Sequence, residues 1–285
     1  MKENTEQIKA WLTDMDGVLV HENEALPGAV KFVEALKKAK VPYLVLTNNP
    51  IYSPRDLSWR LHNSGINIPE ENIWTSAMAT ANFVAQQIPH GRAYVVGEAG
   101  LTTALHDVGY ILTDRDPDYV IIGETRNYSF ENLTTALRLI QHGARFICTN
   151  PDYTGPSSSG DLLAAGAVAA MIQSASGFEP YFIGKPNPIF FRTAMQHLGA
   201  HSAETAMIGD RMDTDIKAGL EAGTETFLVL TGISTRQSVD KYPFRPSHVV
   251  NGISDLIPYV TGDQQDLTAL GTAKAPAARV SSAKA

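Results

Sequence analysis

Two acids, Asp14 and Asp16, stand one residue apart and are followed by Gly17, just after the apolar residues 10–12. The apolar run predicts a buried strand, and ligands bind at the carboxyl ends of strands in an open α/β sheet. One carboxylate can attack as a nucleophile while its neighbour transfers a proton. Gly17 permits a sharp turn that brings backbone N–H groups close to an anion. Taken alone, the pattern is equally typical of an ordinary strand-end turn, because Asp and Gly are common turn residues.

Three further apolar runs end in polar residues that suit the same chemistry. The first ends in Thr47 and Asn48, the second in Lys185, and the third in Asp210, with Asp215 shortly after it. A hydroxyl, backbone N–H groups and an ammonium can hold phosphoryl oxygens. Carboxylates suit Mg²⁺, which prefers a few carboxylate oxygens together with water and substrate phosphate. The sequence therefore predicts a phosphate site with a magnesium ion.

Four short segments in this order resemble the motifs of the haloacid dehalogenase (HAD) superfamily of phosphohydrolases: D-M-D-G-V at 14–18, L-T-N-N at 46–49, G-K-P at 184–186 and G-D-x-x-x-T-D at 209–215. The stretch between the second and third segments is long enough for an inserted cap domain. Segments such as Y-V-V-G-E, T-N-P-D and P-F-R-P-S resemble the NagD-type, C2-capped branch (subfamily IIA). The likeness extends from about residue 10 to about residue 260.

The resemblance implies an α/β fold in which a Rossmann-like parallel-sheet core carries an inserted α/β cap of the C2 type. Strand-like and helix-like patterns alternate along the chain, as such a fold requires. We expect residues 1–81 and 181–261 to form the core and residues 82–180 to form the cap. Residues 262–285 are rich in Ala, Ser, Thr, Gln and Lys, and are predicted to be a disordered tail.

The resemblance also implies roles for the acids. Asp14 is the expected nucleophile, which takes up the phosphoryl group as an aspartyl phosphate. Asp16 is expected to protonate the leaving alcohol and then to take a proton from the attacking water. Mg²⁺ is the expected cofactor, bound by the Asp14 carboxylate, the Asp16 backbone carbonyl and Asp210. An acid at position 16 argues against carbon–halogen cleavage, because family members with that activity lack it.

The phosphoryl group is expected to contact the Thr47 hydroxyl, the Asn48 backbone N–H and the Lys185 ammonium, with backbone N–H groups near Gly17. Three roles are open for Asp215. It can bind a water on the metal, hold Lys185 in place, or stabilise the N-terminus of the helix that follows. The sequence does not choose among them.

A polar loop in the predicted cap is the expected substrate-facing segment. It contains Asn150, Asp152 and Tyr153 and continues through residues 157–161. An ordinary flexible loop is an equally good interpretation. Asp213 has two open roles as well, one in a loop or cap contact and one in support of the metal ligands.

The NagD-type resemblance implies a small phosphorylated metabolite as substrate, with nucleoside monophosphates such as UMP as the first expectation. Pyridoxal phosphate, phosphoglycolate and p-nitrophenyl phosphate are the alternatives within this chemistry. Outside it stand a phosphomutase, a phosphoacceptor signalling module and a non-catalytic phosphate-binding protein. Asp16 and the long insertion argue against the signalling module, which has no second Asp two residues after the phosphorylated one.

Composition limits the remaining functions. The chain has 285 residues and a formal net charge of −7, without a basic stripe interleaved with aromatic residues, so nucleic-acid binding is not expected. Its single cysteine, Cys148, fits a reducing compartment and a buried structural thiol. Residues 1–9 lack the apolar segment of a signal peptide, and no apolar run reaches the length of a membrane span. We therefore expect a cytoplasmic protein without a membrane partner, and a homo-oligomer formed through the cap stays open.

Overall fold

Strands and helices alternate along the chain. The computed structural model describes residues 8–155 and 160–263, together with Leu267 and Leu270. The strands are β1 Ala10–Asp14, β2 Val20–His21, β3 Glu24–Ala25, β4 Tyr43–Thr47, β5 Ile73–Thr75, β6 Arg92–Val96, β7 Ile111–Leu112, β8 Tyr119–Ile122, β9 Arg145–Cys148, β10 Thr154–Gly155, β11 Leu162–Leu163, β12 Tyr181–Phe182, β13 Thr205–Gly209, β14 Glu225–Val229 and β15 His248–Val250. The α-helices are α1 Ala29–Ala39, α2 Pro54–Asn63, α3 Ser76–Gln87, α4 Ala99–Asp107, α5 Phe130–Gln141, α6 Ala165–Ser176, α7 Pro188–Leu198, α8 Lys217–Ala222, α9 Arg236–Val239 and α10 Ile257–Thr261.

Local sequence signals set the first two helices. In α1, the apolar residues at i, i+3, i+4 and i+7 are all buried, as the spacing predicts: Ala29, Phe32, Val33 and Leu36. A reciprocal capping box begins α2, because the Ser53 hydroxyl accepts from the Asp56 N–H while the Asp56 carboxylate accepts from the Ser53 N–H. Pro54 occupies the first turn, where its missing N–H costs nothing. The box fixes the start of α2 and so the position of Arg60 in its last turn.

The larger sheet has six strands in the order β15-β14-β13-β1-β4-β5, and every pairing in it is parallel. From β1 the chain proceeds through β4 to β5 on one side, and later through β13 to β15 on the other. The direction of winding therefore reverses between β1 and β13. Ligands of doubly wound sheets bind at the carboxyl ends of the strands at such a switch point. Both strands are fully buried along their length.

A second parallel sheet lies between α3 and α7 in the chain, with the strand order β12-β9-β8-β6-β7. Alternate residues of β1 face opposite sides of the larger sheet. Trp11 packs there against Phe32 and Phe227, with ring centroids 5.7 and 5.5 Å away. Leu12 belongs to the cluster on the other face, which continues into the second sheet at residues such as Ile121. The predicted parallel-sheet α/β fold is confirmed.

One strand lies in a different sheet from the one expected. Residues 181–183 were expected to resume the core, but β12 pairs with β9 in the second sheet. The ladder continues beyond the strand, because the Ile183 and Gly184 N–H groups donate to Cys148 and Thr149 carbonyls at 3.1 and 2.7 Å. The assignment of these residues to the core sheet is therefore wrong. Lys185 is reached from the edge of the second sheet.

The last predicted segment is described only in part. Residues 264–266, 268–269 and 271–285 of the expected tail lie outside the described residues, as do 156–159 of the expected substrate loop. Leu267 and Leu270 are partly buried and pack against the cluster that contains Trp11. Within the described ranges, no helix is long and apolar enough to cross a membrane. The cytoplasmic location stays a prediction.

Candidate active site

Three carboxylates meet at the switch point of the larger sheet. Asp14 is the last residue of β1, and Asp210 directly follows β13. Asp215 lies in a single π-helical turn, Met212–Ile216, that leads into α8. One oxygen of each of these three side chains lies within 4.8 Å of the others. The predicted strand ends thus bring together acids that are about 200 residues apart in sequence.

Lys185 is buried among these acids. Its Nζ lies 2.6 Å from Asp14 Oδ1 and 2.7 Å from Asp215 Oδ1, and its side chain is only 4% exposed. Burial alone would lower the pKa of Lys185, but the two carboxylates raise it above its usual value. The side chain is therefore charged. The second oxygen of Asp215 accepts from the Arg211 N–H at 3.2 Å, so each oxygen of Asp215 has a partner in the protein, and one of the two partners is Lys185.

The acids outnumber the cation that faces them. Burial raises the pKa of Asp14 well above its usual range despite the attraction of Lys185, and the neighbouring carboxylates raise it further. Burial, with the charge of Asp215, raises the pKa of Asp210 to about 6. Asp210 Oδ2 accepts from the Ile233 N–H at 2.7 Å, while the buried Oδ1 has no hydrogen-bond partner among the described residues. This oxygen and the excess negative charge fit a divalent cation.

Asp16 lies at the mouth of the site, accessible to solvent. The surrounding protein raises its pKa, although the charges of Arg60, Lys185 and His21 lower it. Gly17 adopts φ = 81°, and a Cβ there would lie 2.6 Å from Asp210 Oδ2, so only glycine fits this turn. The Gly17 N–H donates to the Val20 carbonyl at 2.8 Å. This geometry gives Gly17 a role in close packing and does not support its expected N–H contact with a phosphate.

Thr47 and Asn48 reach the site from the end of β4. The Thr47 hydroxyl oxygen accepts from the Asn49 N–H at 3.1 Å, which leaves its hydrogen to be donated elsewhere. The Asn48 side chain pairs with the Lys185 peptide. Its Oδ1 accepts from the Lys185 N–H at 2.8 Å, and its Nδ2 donates to the Lys185 carbonyl at 3.0 Å. Asn48 therefore fixes the backbone from which the ammonium extends.

The expected substrate loop divides into a buried and an exposed part. Asp152 accepts from Asn48 Nδ2 at 2.8 Å and from Asn150 Nδ2 at 3.1 Å through one oxygen. Its other oxygen accepts from Arg211 at 3.0 Å. Asn150 also donates to Glu124 at 2.9 Å, whereas Tyr153 is 65% exposed. Asp152 thus joins the second sheet to the larger one, Asn150 holds Asp152 from the side of the second sheet, and the side chain of Tyr153 takes no part in this junction.

Two connected cavities occupy the space between the sheets. The inner one, of about 150 Å³, is lined by residues that include Asp14, Thr47 and Lys185. The outer cleft, of about 750 Å³, is open to solvent and shares Asp16 with the inner cavity. A phosphoryl group fits the inner space, and the rest of a phosphorylated molecule would extend into the outer cleft.

Comparisons with known proteins identify this arrangement. Residues 11–111 match the family model of haloacid dehalogenase-like hydrolases, and residues 182–256 match a second model of HAD-like hydrolases. The chain is 43% identical to the ribonucleotide monophosphatase NagD of Escherichia coli K12 over 249 residues, which cover 87% of this chain and 98% of NagD. The chain belongs to the HAD family. The NagD-type resemblance and the assignment as a phosphatase are confirmed.

Other relatives of this HAD phosphatase carry different substrate names. A dihydroxyacetone phosphatase of Corynebacterium glutamicum (strain R) is 61% identical over 247 residues, 87% of this chain and 90% of that protein. The solved structure of E. coli NagD superposes with a TM-score of 0.84 at 42% identity, covering 87% of this chain and 98% of NagD. A p-nitrophenyl phosphatase of Archaeoglobus fulgidus gives 0.83 at 32% identity, with 88% and 98% covered.

Sequence reasoning missed two groups of residues in this phosphatase. The segment 231–234 after β14 wraps around Asp210, and the Thr231 hydroxyl donates to the Gly17 carbonyl at 2.6 Å. Arg211 and Glu124 join the network around Asp152, and burial raises the pKa of Glu124. The end of β14 could have been found, because every strand of a parallel sheet ends at the same edge. Side-chain partners across domains leave no such signal.

Two remaining candidates have structural roles. Cys148 is fully buried, its Sγ donates to the Asn150 carbonyl at 3.3 Å, and burial raises its pKa to about 12. Such a thiol is a poor nucleophile, as the sequence predicted. Asp213 accepts two hydrogen bonds from Arg211, at 3.1 and 3.0 Å, on a half-exposed surface. It orients the guanidinium that contacts Asp152.

Asp152→Ala should destabilise the phosphatase by about 1.5–3 kcal/mol, because it removes the charged acceptor of two partly buried donors, Asn48 Nδ2 and Arg211 Nη1. Urea unfolding monitored by far-UV circular dichroism measures the loss. Asp213→Ala is the matched control, since it removes the other acid that Arg211 contacts. That pair is half-exposed and should contribute about 1 kcal/mol or less. Equal losses in the two variants would contradict the bridging role of Asp152.

Proposed function

We propose that the protein is a Mg²⁺-dependent phosphomonoesterase that hydrolyses small phosphorylated metabolites through an aspartyl phosphate on Asp14. The observation that carries the proposal is the pairing of the buried Asp14 with Lys185, beside an Asp210 oxygen that has no partner among the described residues. An ion pair with a purely structural role would not need the carboxylate of Asp210 beside Asp14 and Lys185. Residues 82–180 act in this proposal as the cap that covers the site.

The reaction proceeds in two displacements. An Asp14 oxygen forms a bond to phosphorus as the bond from phosphorus to the leaving oxygen breaks, and Asp16 donates a proton to that oxygen. Asp16 then takes a proton from water, whose oxygen attacks phosphorus and frees Asp14 as inorganic phosphate leaves. The Thr47 hydroxyl, the Asn48 N–H and the Lys185 ammonium hold the phosphoryl oxygens throughout.

Asp14, Asp210 and the Asp16 backbone carbonyl would hold the magnesium ion, with Asp215 keeping Lys185 in position. The ion supplies positive charge, which offsets the repulsion between a carboxylate nucleophile and a phosphate dianion. The residues fit a magnesium ion, because Asp14, Asp210 and Asp215 all offer hard oxygen ligands and no soft ligand lies among them. Burial, followed by the charges of neighbouring carboxylates, raises the pKa of Asp14 and of Asp210, and a bound cation would oppose both effects.

Dihydroxyacetone phosphate is the substrate we propose to test first. The sequence resemblance alone favours a nucleoside monophosphate such as UMP. However, the dihydroxyacetone phosphatase is 61% identical to this chain, against 43% for the ribonucleotide monophosphatase. UMP, p-nitrophenyl phosphate, pyridoxal phosphate and phosphoglycolate complete the panel. A phosphomutase remains the alternative reaction, because the same aspartyl phosphate can return its phosphoryl group to another hydroxyl.

The deciding experiment measures release of inorganic phosphate from this panel, in Mg²⁺ and in excess chelator. Release from at least one substrate in Mg²⁺, with loss in chelator, is the expected result. Phosphate release that is unchanged by the chelator would contradict the role of the metal. A folded protein that releases phosphate from no substrate, but transfers it when a bisphosphate activator is added, would point to the mutase.

Asp210→Asn provides the matched control for the metal. Mg²⁺ that binds only the folded state raises the melting temperature of the wild type in a concentration-dependent way. The variant should lose this rise, because an amide has no net charge to offer the cation. A rise that persists unchanged in Asp210→Asn would place the metal elsewhere, whatever the activity of the variant.

A further inference from the structure

The outer cleft has walls from both parts of the molecule. Tyr52, Arg60 and the β2–β3 hairpin form the wall on the side of the larger sheet, and Arg126 with residues 155 and 161–163 forms the wall on the side of the second sheet. Asp16, which we propose to protonate the leaving oxygen, lines both the cleft and the inner cavity. Any leaving group must therefore lie in the cleft while its phosphoryl group lies beside Asp14.

Arg60 lines this cleft, and most of its donors have no hydrogen-bond partner in the part of the chain that the structure describes. Its guanidinium lies over the Tyr52 ring, 4.8 Å from the centroid. One nitrogen is 3.5 Å from Asn23 Oδ1, at the outer limit of a hydrogen bond. Neither Arg60 nor Arg126 forms an ion pair with any residue that the structure describes. A stacked guanidinium is already ordered, so it loses little entropy when it binds an oxygen.

The charged side chains of the cleft restrict which chemical groups the leaving group of a substrate can carry. Four acids, Asp16, Glu22, Glu124 and Asp161, line the cleft with the two arginines. Even when Asp16 carries the proton that it donates, three acids face two arginines. Like charges placed together across an interface cost several kcal/mol, so a carboxylate or a second phosphate on the leaving group would be repelled. A hydroxyl or carbonyl oxygen would still accept a hydrogen bond from Arg60.

We propose that the cleft selects phosphomonoesters whose leaving group is neutral and carries hydroxyl or carbonyl oxygens, and that Arg60 determines this specificity by donating hydrogen bonds to them. The inference rests on the proposed phosphomonoesterase activity and names its substrate class. Phosphorylated polyols and keto-alcohols belong to the class. Phosphorylated carboxylic acids and bisphosphates do not.

Matched substrates test the role of charge. Glycerol 3-phosphate and 3-phosphoglycerate differ chiefly in a neutral hydroxymethyl group that replaces a carboxylate. The wild type should hydrolyse glycerol 3-phosphate with a kcat/KM at least about tenfold higher. Calorimetric titration of both compounds into the inactive Asp14→Asn protein should show the same order of affinity. Equal values, or a preference for the acid, would overturn the selection by charge.

Arg60→Met tests the hydrogen bonds. It should lower kcat/KM for glycerol 3-phosphate by about 10–100-fold, the range expected for hydrogen bonds from a charged donor. Ethyl phosphate has no oxygen on its leaving group beyond the ester, so its kcat/KM should fall much less than that of glycerol 3-phosphate. Arg60→Lys keeps the charge without the planar fork and should recover part of the loss. Arg55→Met, at an exposed position on the same helix, is the control.

The outcomes separate the two levels of the argument. Equal losses on glycerol 3-phosphate and ethyl phosphate would show that Arg60 supports the site as a whole, and no loss would show that it is irrelevant. Either result overturns the inference while leaving the phosphomonoesterase proposal intact. If the wild type releases phosphate from neither of these compounds nor from any substrate of the earlier panel, the activity proposal fails, and the order of affinities still decides whether the cleft selects neutral ligands.

Discussion

Asp14→Asn should lower kcat by at least about 10⁴-fold for every substrate, the scale expected when the nucleophile of a covalent mechanism is removed. The amide oxygen bears no net negative charge and cannot form an acyl phosphate. The change is nearly isosteric, and the oxygen can still accept from Lys185 Nζ, which lies 2.6 Å from Asp14 Oδ1. We therefore expect the fold to survive. Steady-state phosphate release, beside thermal melting of the same preparation, measures both.

Asp16→Asn is the informative companion, because it removes a proton donor instead of the nucleophile. General acid catalysis contributes about 10²–10⁴-fold when the leaving group needs a proton. p-Nitrophenolate can leave without being protonated, whereas the alkoxide of dihydroxyacetone needs a proton to leave. Asp16→Asn should thus lower the rate of hydrolysis of dihydroxyacetone phosphate much more than that of p-nitrophenyl phosphate. Asp14→Asn should impair both equally, and substantial turnover of either by that variant would exclude the aspartyl phosphate.

The sequence was sufficient for those parts of the site that lie at strand ends. Buried apolar runs are readable as strands, and parallel strands end at one edge of their sheet. By this rule, Asp14 and Asp210 should lie close together and Thr47 should lie near Asp14; in the structure the two acids meet, and Thr47 lines the same cavity as Asp14. The confirmed fold class follows from the same alternation of strands and helices. The rule depends on no side-chain contact, so it needs no knowledge of packing.

The parts that the sequence could not supply are contacts between distant side chains. Asn48 was expected to act through its backbone, yet its side chain binds residues 104 and 137 positions away. Asp152, which was expected in a substrate-facing loop, lines the inner cavity and also accepts from Arg211, 59 positions along the chain. Polar residues in loops have several partners within reach, and tertiary packing alone selects one. The sheet to which β12 belongs was misassigned for the same reason, since pairing is not local.

Lys185→Met should lower the free energy of unfolding of the metal-free protein by about 3–5 kcal/mol, the cost of removing one partner from a buried ion pair. Lys185 bridges Asp14 and Asp215, whose side chains are 13% and 0% exposed. Methionine fills much of the same volume, so the loss comes mainly from carboxylates left without a cation. Urea unfolding in excess chelator measures it. Lys241→Met, at an exposed lysine, should be nearly neutral.

The loss in Lys185→Met should depend on pH in a defined direction. Burial already raises the folded-state pKa of Asp14 above its unfolded value, and the Lys185 charge opposes this. Without Lys185 that pKa rises further. The folded variant then binds more protons than the unfolded chain, so its stability falls as pH rises from the unfolded value of about 4 through the raised pKa. The gap between variant and wild type should be smallest below about pH 4.

A second substitution separates charge from packing. Asp215 is the second carboxylate that loses its cation in Lys185→Met. Adding Asp215→Asn to Lys185→Met removes that unpaired charge, so the double variant should be more stable than Lys185→Met at pH 7. Activity should not return, because the ammonium that binds the phosphoryl group is still absent. A loss that is the same at every pH, and that Asp215→Asn does not relieve, would attribute the destabilisation to packing. The buried lysine would then be dispensable for balancing the charge of the nucleophile, and the proposed electrostatic basis of the site would fall.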